Sequence, residues 1–217
     1  MFYYIKQNTK FKKFQGGFEM FKKFALCILV AAVAFMTTGL QAQEMTDDVA
    51  FLRLGYQWNT LKPDAPNADD VKNNGIAIQG EYNLNLGGML LGFSLEYAYL
   101  SWTEEKSYDF GFLTPMVALK FLAPGGFYIG PGVSLKYLMS SYLPKGVEEP
   151  DSEIDLWVNG VAGWMTPIAE GIYLDLQARF GWNLTNNQFE DWIDKIDKNY
   201  DLAFYVGVGT RTRSTGI

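Results

Sequence analysis

The sequence predicts an all-β protein: an eight-stranded antiparallel up-and-down transmembrane β-barrel, preceded by a cleavable signal peptide. Three observations predict it. They are an apolar segment near the N-terminus, eight runs in which apolar and polar side chains alternate, and connections between these runs that differ systematically in length. Alternation with a period of two is typical of strands with one apolar face. Of the 217 residues 48% are hydrophobic, which excludes a disordered chain and is enough for one domain.

The composition excludes several classes of protein. The chain has no histidine and one cysteine, which excludes Ser-His-Asp catalysis, histidine-ligated zinc and a disulfide scaffold. Its formal net charge of −6 disfavours nucleic-acid binding, because neutralising phosphates requires clustered lysine and arginine. We therefore expect no nucleic-acid partner, no cofactor, no metal and no enzymatic activity.

Residues 20–42 are typical of a secretory signal peptide. Two lysines precede an apolar run over 24–36, and small and polar residues lead to Ala42. The run of about 13 residues is shorter than the roughly 20 that a membrane-spanning helix needs, so a permanent anchor is the weaker alternative. We expect cleavage after Ala42, which leaves residues 43–217 as the barrel domain.

Residues 1–19 precede a segment that already begins with its own methionine, Met20. Two interpretations are open: an extension from a mis-assigned start, or a long basic leader of the signal peptide. Six of the 18 basic residues and one of the 24 acidic residues lie in residues 1–42. The predicted exported part therefore has 12 basic and 23 acidic side chains, a net charge of −11, and no cysteine.

The predicted strands are eight runs of about ten residues. In the second run Ile76, Ile78 and Tyr82 fall on one face, and Gln79 and Glu81 fall on the other. A tilted membrane strand needs about 9–11 residues, so the length of the runs fits a membrane span. The runs cover 50–59, 76–86, 91–99, 113–121, 127–137, 156–165, 172–183 and 202–209.

The connections between the runs alternate in length. Short turns cover 86–88, 123–126 and 166–171, and longer polar connections cover 60–74, 103–109, 139–154 and 184–200. An even number of strands with short turns at one end is the arrangement of an outer-membrane barrel whose termini lie in the periplasm.

A soluble eight-stranded barrel with an apolar ligand cavity is the competing interpretation, because alternation alone does not say which face lies outside. Seven charged residues lie on the polar face, and burying them around a hydrophobic ligand cavity would cost a large free energy of desolvation. This favours a barrel whose apolar face contacts lipid and whose polar face lines the lumen. Aromatic residues also gather near the strand ends, as in membrane girdles. They are Tyr56, Trp58, Tyr97, Tyr99, Tyr137 and Trp182 towards the long connections, and Phe121, Phe127 and Trp164 towards the short turns.

Three segments carry a resemblance to known proteins: the signal-peptide end at Ala42 and Gln43, the strand opening over 127–133 and the closing strand over 201–210. With these the chain resembles the small outer-membrane β-barrel domain proteins, which are porin-like and similar in style to the OmpA and OmpX barrels. The resemblance covers residues 43 to about 210. It implies a place in a Gram-negative outer membrane, with membrane lipid as the main partner, and we expect a monomer.

One set of charged residues is predicted to face the barrel lumen. Because the interior of an eight-stranded barrel is just wide enough to be filled by side chains, we expect four basic and three acidic groups to pair into a polar plug. A narrow conducting path is the alternative, and a catalytic carboxylate pair is a third possibility that the spacing does not single out. The set is Arg53, Glu81, Glu96, Lys120, Lys136, Asp175 and Arg179.

The longer connections are predicted to form acidic extracellular loops. Sixteen acidic residues against six basic ones would attract divalent cations or the basic surface of a partner, or would only keep the loops solvated. The acidic residues are Asp64, Asp69, Asp70, Glu104, Glu105, Asp109, Glu148, Glu149, Asp151, Glu153, Asp155, Glu190, Asp191, Asp194, Asp197 and Asp201.

The last connection carries a helical pattern. Apolar residues recur at i, i+3, i+4 and i+7, which predicts a short amphipathic helix. The helix would lie on the barrel rim or bind a partner. Its apolar positions are Phe189, Trp192, Ile193 and Ile196.

Two prolines fall inside predicted strands, at outward positions. Pro115 and Pro131 each remove a backbone donor, so we expect bulges or shifted registers there. The sequence as a whole predicts a non-enzymatic outer-membrane barrel with a plugged lumen and a structural or surface-interaction role; a small porin passing ions or solutes is the alternative.

Overall fold

The computed structural model describes residues 47–63, 70–104, 106–143, 154–187 and 196–212. The extension predicted over 1–19 and the signal peptide predicted over 20–42 lie outside these ranges. The described residues form eight strands: β1 (Asp48–Pro63), β2 (Val71–Asn85), β3 (Met89–Glu104), β4 (Lys106–Leu122), β5 (Phe127–Tyr142), β6 (Ile154–Ala169), β7 (Ile172–Asn183) and β8 (Ile196–Thr212). No helix in the described part of the chain is long and apolar enough to cross a membrane.

The sheet is a closed antiparallel barrel. Each strand pairs with the next in sequence, and β1 pairs with β8 to close the ring. This confirms the predicted eight-stranded antiparallel barrel. We call the end that holds the three short turns and the open ends of β1 and β8 the turn end, and the opposite end the loop end.

The strands are longer than predicted, and the additional residues lie mainly at the loop end. The strands contain 12 to 17 residues. The pairing between β3 and β4 continues as far as Glu104 and Lys106. The long connection predicted over 103–109 is therefore wrong, because this segment is a tight hairpin. A tilted strand of 16 residues rises roughly 40 Å, whereas the apolar band of a membrane barrel is about 25 Å tall. The strands therefore continue beyond the membrane.

The side chains alternate between the two faces as predicted. In β2, Ile76 and Ile78 are more than half exposed on the outside, while Ala77 and Gln79, which alternate with them, are completely buried. The sixth predicted run, over 156–165, follows the same rule, because Leu156 and Val158 are exposed. The outer face is thus apolar and the enclosed interior is largely polar.

A glycine turn fixes the turn end between β4 and β5. Gly126 has φ of 82°, and a Cβ added to it would lie 2.0 Å from the backbone oxygen of Met165. Only glycine combines this positive φ with so close an approach. The carbonyl oxygen of Gly126 accepts a hydrogen bond from the Met165 N–H at 2.9 Å, which joins the turn to β6.

The register shifts lie elsewhere than predicted. The pairing of β4 with β5 and of β5 with β6 keeps one register on both sides of Pro115 and Pro131, so the bulges predicted there are wrong. Both prolines are exposed on the outer face. The pairs between β4 and β5 are interrupted at 114–115 and at 119–120, one interruption at each proline, and resume in the same register. The shifts among the described pairs occur at Lys62/Pro63, Gly111/Phe112 and Pro167/Ala169.

Candidate functional site

The charged residues predicted to face the lumen all lie buried inside the barrel. None has more than 4% of its surface exposed. The strand alternation places them there, since each occupies an inward position of its strand. They form two separate sets of ion pairs, which we call the turn-side network and the loop-side network.

The turn-side network is an alternating line of four charges: Asp175, Arg53, Glu81 and Lys120. Arg53 lies at its centre, with Nε 2.6 Å from Asp175 Oδ2 and Nη2 3.0 Å from Glu81 Oε1. Lys120 Nζ contacts the same oxygen of Glu81. The Tyr128 hydroxyl donates to Asp175 Oδ1 at 2.9 Å. Two cations and two anions therefore balance within this network.

Two glutamines complete the turn-side network. Gln79 Oε1 accepts a hydrogen bond from Arg53 Nη1 at 2.9 Å. Gln177 Oε1 accepts one from Lys120 Nζ at 3.3 Å and lies 3.1 Å from the Tyr128 hydroxyl oxygen. Lys120 Nζ also lies 4.8 Å from the centroid of the Tyr128 ring, a favourable cation–π distance. The prediction missed Tyr128 and both glutamines. Their inward positions were the available signal.

The loop-side network repeats the same order of charges: Glu96, Arg179, Asp201 and Lys136. Arg179 binds Glu96 with two nitrogens, at 2.7 and 3.1 Å, and its Nη2 lies 3.6 Å from Asp201 Oδ2. Lys136 Nζ lies 3.1 Å from that oxygen of Asp201. The Tyr205 hydroxyl donates to Glu96. This network also contains two cations and two anions.

Two residues assigned to the acidic loops belong to the lumen instead, which corrects that prediction. Asp201 is 3% exposed within β8, and Asp155 is 1% exposed within β6. Asp155 accepts hydrogen bonds from Asn183 Nδ2 at 2.7 Å and from the Asn187 N–H at 2.7 Å. The prediction failed because β6 and β8 are longer than expected, so both aspartates occupy inward strand positions.

Buried apolar clusters lie on either side of the two networks. At the turn end Val49, Phe51, Leu90, Met116 and Met165 are buried in one cluster. At the loop end a second buried cluster contains Leu61, Leu100, Phe110 and Leu138. The charged groups therefore lie between two apolar clusters.

The predicted interaction helix lies mostly outside the described residues. This applies to Phe189, Trp192 and Ile193. Ile196 is the first residue of β8, so a helix in this connection would end before it. In the described part of the chain, no group of three or more acidic or cysteine side chains is placed to hold a metal ion.

The outer surface has the chemistry of a lipid-facing wall. Leu52 and Ile129 are each 66% exposed on it, and Trp182 lies near the loop end of β7. In water such a surface would be unstable. In a bilayer it is the stable arrangement, because the closed sheet satisfies the backbone and the apolar side chains contact lipid. The chain is thus a transmembrane β-barrel of the outer-membrane class.

Comparison with solved structures agrees with this class. The Neisserial surface protein NspA has a TM-score of 0.51 and 11% identity, over 75% of this chain and 97% of that one. OprG of Pseudomonas aeruginosa has a TM-score of 0.48 and 12% identity, over 77% and 97%. Ail, the attachment invasion locus protein of Yersinia pestis, has a TM-score of 0.43 and 14% identity, over 77% and 100%. The predicted similarity to small outer-membrane barrels is confirmed at the level of the fold.

No protein-family model matches the chain, and no curated protein matches it in sequence.

Proposed function

We propose that this protein is a non-enzymatic outer-membrane barrel with a plugged lumen, which has a structural or surface-interaction role through acidic extracellular loops. One observation carries the proposal: two balanced ion networks fill the lumen between two apolar clusters. A continuous water path would need to pass both clusters and displace the paired side chains. Breaking such buried pairs is costly.

The proposed absence of enzymatic activity is supported by the burial and the ion pairing of the lumen carboxylates. Glu81, Glu96 and Asp175 each contact an arginine, and they lie below the apolar cluster of the loop end. A carboxylate that acts as a general base needs access to its substrate. These groups serve instead to neutralise the buried cations.

The interaction role rests on the charge of the loop end. Without Asp155 and Asp201, fourteen of the acidic residues assigned to the loops remain at the loop end, against six basic ones. Glu104 and Asp109 among them lie in β3 and β4 rather than in a loop. A negative surface of this kind attracts divalent cations or a basic partner surface. We expect such partners to bind outside the barrel, since the lumen offers them no entry.

Single-channel recording in a planar bilayer tests the plug. The full chain, taken from the outer membrane in detergent, should give no discrete conductance steps once resistance to protease shows that it has inserted. The double variant Glu96→Ala and Arg179→Ala, which removes one complete ion pair, should leak or open in bursts. Discrete steps from the unchanged protein that alter with Arg179→Gln would contradict the plug and support a small porin.

The acidic loops are tested by calcium titration of the inserted barrel. Replacing Glu148, Glu149, Asp151 and Glu153 by their amides should weaken Ca²⁺ binding, measured by calorimetry. A matched control replaces Glu170, an exposed residue at the turn end, by Gln. Equal binding by the control and the loop variant would leave no role for these carboxylates.

A further inference from the structure

A groove crosses the outer wall of the barrel on β2 to β6. Its volume is about 740 Å³, which lies within the usual range for sites that bind small molecules. The groove follows one row of outward residues that lie side by side on the five neighbouring strands. The row consists of Gly80, Leu95, Pro115, Leu135 and Leu156.

The wall recedes along this row because two of its residues are small or compact. Gly80 has no side chain, and a Cβ added to it would meet no other atom within 4 Å. Pro115 carries only its ring. The border on the turn-end side contains Tyr82 and Phe93, which are directly paired, and the Tyr82 hydroxyl donates to Asp48 Oδ2 at 2.8 Å. The groove is therefore a depression in the apolar wall with an aromatic border.

Pro115 leaves one backbone carbonyl in this groove without its usual donor. Its pairing with Leu95 of β3 belongs to an uninterrupted ladder, whereas the described pairs between β4 and β5 are interrupted at 114–115. The missing proline N–H therefore faces β5, where the register places it opposite Leu135. The carbonyl oxygen of Leu135 receives no ladder hydrogen bond from Pro115. In the membrane-spanning wall, where water is absent, such an acceptor requires another donor.

The groove runs from the middle of the membrane towards its loop-end surface. Gly80 lies nine residues from the loop end of β2, and Leu156 lies two residues from the loop end of β6. Because membrane strands are tilted by about 35–45°, a row across them rises through the bilayer. Four strand separations of about 4.8 Å give a length of roughly 19 Å, and one leaflet of hydrocarbon is roughly 15 Å thick. The dimensions fit one acyl chain of the outer leaflet.

We infer that the groove binds an acyl chain of an outer-leaflet lipid, and that a hydroxyl on this chain donates to the Leu135 carbonyl oxygen. The occupant comes from the bilayer, because the groove opens onto the lipid-facing wall. Its hydroxyl lies near the headgroup, because Leu135 is one strand separation, about 4.8 Å, from Leu156 at the upper end. An unsubstituted chain leaves the carbonyl unpaired. The barrel would therefore select a lipid by the chemistry of its chain.

Native mass spectrometry tests this inference with 3-hydroxytetradecanoic acid and tetradecanoic acid as probes. The folded full chain in phosphatidylcholine nanodiscs is loaded with equal amounts of both acids, released into mild detergent, and scored for each bound acid. The unchanged protein should retain the hydroxylated acid about fivefold over the plain acid, the preference that one hydrogen bond provides. Pro115→Ala restores the N–H opposite Leu135 and keeps the groove open, so it should retain both acids equally.

Pro131→Ala is the matched control for the carbonyl. It restores a donor at the other interruption of the same strand pair, opposite Leu119 and outside the groove, and should keep the preference of the unchanged protein. A second pair of variants tests the groove itself. Gly80→Leu fills it and should lose both acids. Gly160→Leu adds the same side chain at another outward glycine with open space, and should lose neither.

Two results would overturn the inference. The same ratio of acids in the unchanged protein and in Pro115→Ala, or loss of the preference in Pro131→Ala, would exclude the Leu135 carbonyl as the acceptor. Equal retention by Gly80→Leu and Gly160→Leu would place the bound chain outside the groove. Circular dichroism shows that each variant is folded.

Discussion

The two ion networks of the lumen have the same composition but are connected differently. Each is an alternating line of carboxylate, arginine, carboxylate and lysine, and each has a tyrosine that donates to its terminal carboxylate. In the turn-side network Arg53 holds both carboxylates, at 2.6 and 3.0 Å. In the loop-side network Arg179 holds Glu96 with two nitrogens but lies 3.6 Å from Asp201.

This difference divides the loop-side network into two halves. Arg179 with Glu96 is one pair and Lys136 with Asp201 is another, joined by a longer contact. The turn-side network depends on one central residue, Arg53. The two networks hold the same number of buried charges, but we expect mutations in them to reduce the stability by different amounts. The expected loss depends on how many charged partners the mutated residue holds.

The largest loss is expected for Arg53→Met. It leaves Asp175 without a direct cation contact and Glu81 with Lys120 alone. Breaking a buried pair in this way costs about 3–5 kcal/mol. The measurement is urea unfolding of the barrel in lipid vesicles, followed by tryptophan fluorescence. A loss below that of Arg179→Met would show that the central position of Arg53 does not matter.

A smaller loss is expected for Arg179→Met. Glu96 keeps the Tyr205 hydroxyl and Asp201 keeps Lys136, so we expect about 2–4 kcal/mol in the same assay. Combining it with Glu96→Gln gives a double-mutant cycle. The two changes together should cost less than the sum of the single losses, because the pair is removed as a unit. Strict additivity would contradict the pairing.

Lys136→Met should cost less again. Asp201 retains Gln57, whose Nε2 donates to it at 2.6 Å, and Arg179 remains near. We expect about 1–3 kcal/mol, the range for one hydrogen bond to a charged group. Methionine fills a similar volume beside the rings of Phe112 and Trp157, but it loses the cation–π contacts that Lys136 Nζ makes with them, at 5.0 and 4.4 Å from the ring centroids. A comparison with Lys136→Ala separates the charge from this packing.

The smallest effect is expected outside the lumen, for Arg211→Gln. Arg211 pairs with Asp47 at the turn end, and its side chain is 49% exposed. Exposed ion pairs contribute less than about 1 kcal/mol and are screened by salt. A loss as large as that of Lys136→Met, or one unaffected by 0.5 M NaCl, would contradict this ranking.

The membrane-spanning part of the barrel was predictable because lipid imposes a strict pattern. An outward side chain there must be apolar, so residues such as Ile76 and Leu95 mark one face and leave the lumen charges on the other. The same alternation placed Tyr128 and Tyr205 inside. It could not show which inward groups meet, because partners such as Arg53 and Asp175 depend on strand tilt and on closure of the barrel.

The strand ends at the loop end were not predictable, because no lipid requires their outward side chains to be apolar. Beyond the membrane the outer face is in water, so Lys62, Lys72 and Lys198 are stable at outward positions while Asp155 and Asp201 lie inward. Both faces are then polar and the alternation disappears. A strand of this kind has the composition of a loop, which is why these segments were assigned to connections.

The partners of β1 in the lumen have a consequence for how the chain assembles. Arg53 binds Asp175, 122 residues away, and Gln57 binds Asp201, 144 residues away. The first strand therefore finds these partners only after the last two strands have been made and brought beside it. Contacts so distant in sequence slow folding. Closure of the barrel and formation of the lumen ion pairs therefore occur together, late in folding. Until then the charged side chains of the incomplete sheet stay hydrated.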